Sequence, residues 1–190
     1  MAEGRIGKRV MVVGGSGAGK TEFSKKLSAL TGLPLTHLDR IGWRGHREKT
    51  PREVFDALLS EITAGEEWII DGNWSRTIPD RLKRADTVFW FDFSGIRCLK
   101  GVLTRFFRNR GTTRDDMGGD FPEVLDGEKL RFFWTALTGA RKIHGRIEEA
   151  LRDAPHVRVT VFRTRREADG FLEELRAEEA EEKENGVAGT

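Results

Sequence analysis

The stretch Arg9-Val10-Met11-Val12-Val13-Gly14-Gly15-Ser16-Gly17-Ala18-Gly19-Lys20-Thr21 decides how the chain reads. Val10 to Val13 form a short apolar run closed by two glycines, the signal of a buried β-strand. The residues from Gly14 onward match G-x-x-x-x-G-K-[ST], a phosphate-binding loop. Glycines let the backbone wrap an anion, so that successive N–H groups point inward. A helix starting near Lys20 adds the positive end of its dipole. Lys20 can reach the β- and γ-phosphates, and the Thr21 hydroxyl can ligate Mg²⁺. Gly14, Gly15, Ser16, Gly17, Ala18, Gly19, Lys20 and Thr21 are therefore the expected nucleotide-binding residues. ATP and Mg²⁺ are the expected cofactors.

Outward from this loop, short apolar runs alternate with helical patterns. Phe23, Leu27 and Leu30 have helical spacing, closed by Gly32. Residues 34–38, 67–71, 87–91 and 157–162 read as further strands. Thr50-Pro51-Arg52-Glu53 reads as a capping box ahead of a helix that Gly65 ends. A short helix is expected near 78–83, and Ser94 can cap a longer one. A long helix is expected over 130–151, with Gly139 and Gly145 as places where it can break. Strands alternating with helices imply a parallel sheet with right-handed crossovers and ligands at the strands' carboxyl ends.

The composition fits this picture. The 190 residues carry a net charge of +2, with 37% hydrophobic and 34% charged residues. That length predicts one domain, residues 1–177. With Cys98 the only cysteine, an intramolecular disulfide and a cysteine-based zinc site are excluded. No apolar run approaches the ~20 residues needed to span a bilayer, and none resembles a signal-peptide core. A soluble cytoplasmic protein without a membrane partner is expected. Residues 178–190 are acidic, lack an apolar period and are expected to be a disordered tail. Between Phe93 and Arg114 stand six basic residues and no acidic one. Such a run suits an anionic partner or a solvated helix face.

Several segments together carry a resemblance. They are Gly14 to Thr21, His37-Leu38-Asp39, Trp68-Ile69-Ile70-Asp71-Gly72-Asn73-Trp74-Ser75-Arg76-Thr77, Ala85-Asp86-Thr87, and Arg110-Gly111-Thr112-Thr113-Arg114-Asp115-Asp116-Met117. With these the chain resembles the adenylate-kinase-like P-loop proteins known as topology-modulation (FlaR-type) proteins, from about Lys8 to Leu175. The resemblance implies a three-layer α/β/α P-loop NTPase fold of the nucleoside/nucleotide-kinase kind. It also implies a five-stranded parallel sheet of order 2-3-1-4-5. The chain departs from adenylate kinases proper: their D-G-[FY]-P-R becomes Asp71-Gly72-Asn73-Trp74-Ser75-Arg76, and their AMP-binding segment has no counterpart.

On that sheet order Asp71 ends a strand beside the phosphate loop. It can hold the hydration shell of Mg²⁺, accept an acceptor's proton, or cap the following turn. Asp92 can serve the metal shell or a helix cap. Asp39 ends the second strand, where kinases of this fold hold their acceptor, and can bind or deprotonate a hydroxyl. Trp43 and Trp74 can stack on an acceptor ring or pack internally. Asn73 and Arg76 fall at acceptor-side positions, where Arg76 could grip a phosphate. Arg108, Arg110 and Arg114 resemble the arginines of a short lid over about 110–127, closing on the transferred phosphoryl group. Arg105 reads as a surface residue, and the histidines show no metal spacing.

The leading expectation is an ATP-dependent kinase acting on a small acceptor: a nucleoside, a nucleoside monophosphate or another hydroxyl compound. Lys20, Asp71, Asp39, Arg110 and Arg114 would form its catalytic set. Asp39, Trp43, Asn73, Trp74 and Arg76 would bind the acceptor, and Arg108 the nucleotide. The alternative is a nucleotide-dependent regulator of DNA topology or gene expression, which the group's name implies. Nucleic acid is not the expected partner, because no DNA-binding motif is present and the tail is acidic.

Overall fold

Strand β1 (Arg9–Gly14) is apolar on both faces, and this fixes it at the centre of the sheet. Val10 and Val12 enter one buried cluster with Phe23, Leu27, Phe89, Phe91 and Phe162. Met11 and Val13 enter another, with Phe55, Trp68, Ile70, Val88 and Trp90. The computed structural model describes residues 5–44, 48–112, 116 and 124–187, the last six by backbone alone.

Helix α1 (Lys20–Thr31) follows the glycine loop, then β2 (Leu35–His37), α2 (Leu38–Gly42) and a small hairpin of β3 (Trp43–Arg44) with β4 (Glu48–Lys49). Next come α3 (Arg52–Ala64), β5 (Trp68–Asp71), a 3₁₀ turn (Ser75–Thr77), α4 (Ile78–Leu82) and β6 (Thr87–Phe91). The chain continues through α5 (Gly95–Arg108), α6 (Gly127–Thr138), α7 (Ala140–Arg152), β7 (Arg158–Phe162) and α8 (Arg165–Val187). The main sheet is parallel, with order β2-β5-β1-β6-β7. Since the hairpin takes two numbers, the five main strands follow the expected 2-3-1-4-5. Helices cover both faces, as a sheet buried on both sides requires.

Three local expectations need correction. The capping box at Thr50 is not formed. Its hydroxyl donates to the Ile41 carbonyl at 2.8 Å, and Pro51 is the residue that precedes α3. A capping box stands instead at Thr164–Glu167, ahead of α8. The long helix breaks at Gly139 into α6 and α7. The acidic stretch expected to be disordered is helical to Val187. Glu, Lys and Ala are strong helix formers, and Arg5 ties Glu174 and Glu178 of α8 at 2.5 and 2.7 Å.

Residues 113–115 and 117–123, with Arg114 and most of the expected lid, lie outside the described residues. Among those described, no helix is long and apolar enough to cross a membrane.

Candidate active site

The glycine loop joins the carboxyl end of β1 to α1. Gly14 and Gly17 have φ of +136° and +80°. An added Cβ would stand 2.3 Å from the Phe91 carbonyl at Gly14 and 2.4 Å from the Cys98 carbonyl at Gly17. No other residue fits either place without moving backbone. Asn73 pins the start of the loop: its Oδ1 accepts from Gly14 N–H at 2.9 Å and its Nδ2 donates to Gly14 C=O at 2.7 Å.

Lys20 folds back over the loop, donating to the Gly14 and Gly15 carbonyls at 3.0 and 2.9 Å. Burial pulls its ammonium below the usual lysine range, against the attraction of Asp71 and Asp39. The carboxylates therefore lie within electrostatic reach of the loop lysine. Thr21 Oγ1 donates to Asp71 Oδ2 at 2.9 Å, and Asp116 Oδ2 stands 3.4 Å from the same hydroxyl. His37 Nδ1 lies 2.9 Å from Asp71 Oδ2. Asp71 is 5% exposed, yet its Oδ1 has no hydrogen-bond partner.

A buried carboxylate oxygen left over beside a threonine hydroxyl suits a hydrated Mg²⁺. Mg²⁺ keeps several waters and uses one or two carboxylates plus substrate phosphates, so no cage of protein ligands is needed. Among the described residues no cluster of three or more His, Cys, Asp or Glu is placed to hold a metal alone.

These groups open on one cavity of about 1400 Å³. A single small ligand usually occupies roughly 300–1,000 Å³, so there is room for two. One half is lined by the phosphate loop with Arg105, Arg108, Lys129 and Arg165. The other is lined by His37, Asp39, Trp43, Lys49, Asp71 and the segment Gly72–Ser75.

In the second half the side chains hold one another. Trp74 adopts a left-handed backbone at φ 33°, an uncommon state for a bulky residue and one that clusters at functional sites. Its indole stacks on Phe55 at 4.5 Å, meets Trp43 edge-on at 6.2 Å, and donates from Nε1 to Asp39 Oδ1 at 3.0 Å. The Asp39 carboxylate is thereby oriented with one oxygen held. Behind this wall Arg81 is fully buried, donating to the carbonyls of Gly72 (3.1 Å), Asn73 and Thr77 (3.4 Å). Burial pushes its guanidinium down to about 9, which leaves it charged at neutral pH.

Most of the residues expected from the sequence converge here: Gly14 to Thr21, Asp39, Trp43, Asp71, Asn73, Trp74 and Arg108. Others do not. Arg76 faces away, forming a fork with Asp56 on α3 at 2.5 and 3.1 Å. Arg110 is exposed and does not line the cavity. Asp92 turns toward α7, where its Oδ1 lies 2.8 Å from His144 Nδ1. Arg105, expected on the surface, is half-buried and lines the cavity.

His37, Arg81, Asp116 and Arg165 were not anticipated. His37 was within reach of sequence reasoning, since it ends a strand two residues before Asp39. Arg81 also left a trace: it sits three residues after Ile78 and one before Leu82, on the apolar face of a short helix. Arg165, whose Nη2 donates to Gly17 C=O at 3.0 Å, gave no sequence signal.

No family model and no curated sequence matches the chain. Solved structures do. A shikimate kinase from Acinetobacter baumannii in complex with shikimate is 18% identical, with a TM-score of 0.52 over 90% of this chain and 94% of its own. A sugar kinase from a Janibacter species is 17% identical, with a TM-score of 0.51 over 88% and 91%. A shikimate kinase from Bacteroides thetaiotaomicron is 16% identical, with a TM-score of 0.50 over 90% and 96%. At these identities the likeness establishes the fold, and the fold is that of the small P-loop kinases.

Proposed function

We propose that this chain is a Mg²⁺- and ATP-dependent kinase that phosphorylates a hydroxyl of a small acceptor. One observation carries the reading: a phosphate loop and a carboxylate-and-tryptophan wall share a single cavity with room for two ligands. The fold shared with shikimate and sugar kinases supports it. So does the resemblance to the FlaR-type group, whose Asp71-Gly72-Asn73-Trp74 segment forms part of that wall.

In this reading the loop amides and Lys20 hold the β- and γ-phosphates. Thr21 and Asp71 would hold a hydrated Mg²⁺. Mg²⁺, when bound, supplies positive charge against the phosphate oxygens. Asp39 accepts the proton of an acceptor hydroxyl as that oxygen bonds to the γ-phosphorus and ADP departs. Arg105 and Arg108 stand where negative charge spreads during transfer. Arg110 and Arg114 are assigned on the sequence alone to an arm, over about 110–127, that closes on the phosphates.

Three of the six residues in the basic run that suggested nucleic acid have places within the chain's own structure. Arg97 donates to the Arg163 carbonyl at 2.7 Å, and Arg105 and Arg108 line the cavity. This favours the kinase over a DNA-binding regulator.

The test is ATP consumption with Mg²⁺ across a panel of nucleosides, nucleoside monophosphates, sugars and small alcohols, with Lys20→Ala as control. One acceptor should raise turnover well above the ATP-only rate, and Lys20→Ala should abolish the rise. ATP binding without acceptor-stimulated turnover anywhere in the panel would contradict the proposal.

A further inference from the structure

The Mg²⁺ position in the kinase reading above, on which this inference rests, is flanked by a residue that belongs to no phosphate-binding motif. Strands β2 and β5 run parallel, with His37 paired to Asp71 at the ends of both. Partners across a sheet share a face, so the imidazole meets the carboxylate. His37 Nδ1 lies 2.9 Å from Asp71 Oδ2, and the two side chains are 11% and 6% exposed. An ionised carboxylate only accepts, so the proton of this bond belongs to Nδ1.

The Thr21 hydroxyl donates to the same oxygen, also at 2.9 Å. Oδ2 therefore takes two donors, one from α1 and one from β2. Oδ1 is buried and takes none among the described residues. A buried polar atom kept only for stability is normally paired, so this asymmetry points to a ligand for Oδ1. The sheet does not depend on the bond, since β2 already pairs with β5 through a three-residue ladder. The torsion of a carboxylate about its last bond is soft and nearly two-fold, so a single donor would let its plane rock. Two donors on one oxygen fix the plane and keep the other oxygen turned one way. Both His37 and Asp71 line the cavity that the phosphate loop opens on.

We propose that His37 is a positioning residue for the metal. Its Nδ1–H holds Asp71 in the orientation in which Oδ2 takes the Thr21 hydroxyl and Oδ1 is left for the water shell of Mg²⁺. His37 acts through Asp71.

The experiment reads metal binding apart from turnover. The full chain, in slight excess over a non-hydrolysable ATP analogue, is titrated with Mn²⁺, and the free ion is counted by electron paramagnetic resonance. His37→Phe keeps a ring and removes the donor, whereas His37→Asn returns a donor close to the Nδ1 position. His37→Phe should weaken Mn²⁺ binding about tenfold or more, the usual cost of losing a partner that orients a metal's carboxylate. Its affinity for the analogue without metal should stay within about twofold of the wild type. His37→Asn should recover most of the Mn²⁺ affinity. A purely structural role would lower the urea midpoint of both variants and leave Mn²⁺ binding by the folded chain unmoved. Wild-type Mn²⁺ affinity in folded His37→Phe, or equal losses in His37→Phe and His37→Asn, overturns the inference. The wild type supplies a second reading should His37→Phe not fold. Nitrogen-15 shifts of labelled histidine, taken with Mg²⁺ and the analogue, should place a proton on His37 Nδ1, and a bare Nδ1 overturns the inference. A wild type that binds no Mn²⁺ beside the analogue would sink the metal assignment and this inference together. Metal binding that needs His37, without transfer to any acceptor, would sink the kinase reading alone.

Discussion

Replacing Asn73 by alanine should loosen the phosphate loop by a predictable amount. The Asn73 amide is paired with both backbone groups of Gly14, at 2.9 and 2.7 Å. Without it the Gly14 carbonyl keeps the Lys20 ammonium at 3.0 Å. The Gly14 N–H has no such substitute in the structure. A buried donor left unpaired costs about 1–3 kcal/mol, and the second bond contributes about 0.5–1.5 kcal/mol net. The sum is roughly 2–4 kcal/mol of folding stability, read as a lower midpoint in urea at unchanged slope. Asn73→Asp perturbs both stability and function. It keeps the acceptor for Gly14 N–H, but it sets a carboxylate oxygen against the Gly14 carbonyl that Nδ2 had bonded at 2.7 Å, so it too should lower stability. It also puts a carboxylate against the loop, in competition with the phosphates for Lys20. At an effective dielectric near 20, one extra charge some 7 Å from a phosphate costs about 2 kcal/mol, roughly thirtyfold in ATP affinity by calorimetry. If Asn73→Ala loses less than about 0.5 kcal/mol, or Asn73→Asp binds ATP like the wild type, the assigned role of Asn73 is wrong.

Other perturbations follow from the same geometry. Gly17→Ala puts a Cβ 2.4 Å from the Cys98 carbonyl at φ +80°, and should lower stability by about 2 kcal/mol or more in thermal or chemical denaturation. Thr21→Ala should cut Mg²⁺-dependent turnover by about a hundredfold, while Thr21→Ser, which keeps the hydroxyl donor to Asp71, restores most of it. Burial lowers the Lys20 pKa in the free chain, so phosphates that favour its charged form must raise it again on binding. ATP binding should therefore take up protons near the lowered pKa, and weaken as pH rises through it. Calorimetry in buffers of different ionisation enthalpy reads that uptake, which should vanish in Lys20→Ala.

The legible parts of this molecule were those set by local chemistry. The glycine loop needs positive φ and close backbone approach, which only its residue types allow. The main strands announced themselves as apolar runs, and the sheet order came with the resemblance. What the sequence hid depends on distant partners. Arg76 looked like a phosphate grip until α3 brought Asp56 within 2.5 Å of it. Asp92 ends a strand next to β1, but α7 presents His144 to it at 2.8 Å. Thr50 had the pattern of a cap, yet the Ile41 carbonyl near the end of α2 took its hydroxyl. His37 lacked metal spacing, and its pairing with Asp71 appears only once β2 lies beside β5.

The central claim is that phosphoryl transfer occurs between the two halves of one cavity. The most direct measurement follows ADP and phosphorylated acceptor together, by chromatography and mass spectrometry, for wild type, Lys20→Ala and Asp39→Asn. The account predicts one ADP per phosphorylated acceptor in the wild type, and almost none of either in Lys20→Ala. Asp39→Asn should bind ATP normally but transfer slowly. ADP formed without any phosphorylated acceptor, or transfer that survives Lys20→Ala, would contradict it.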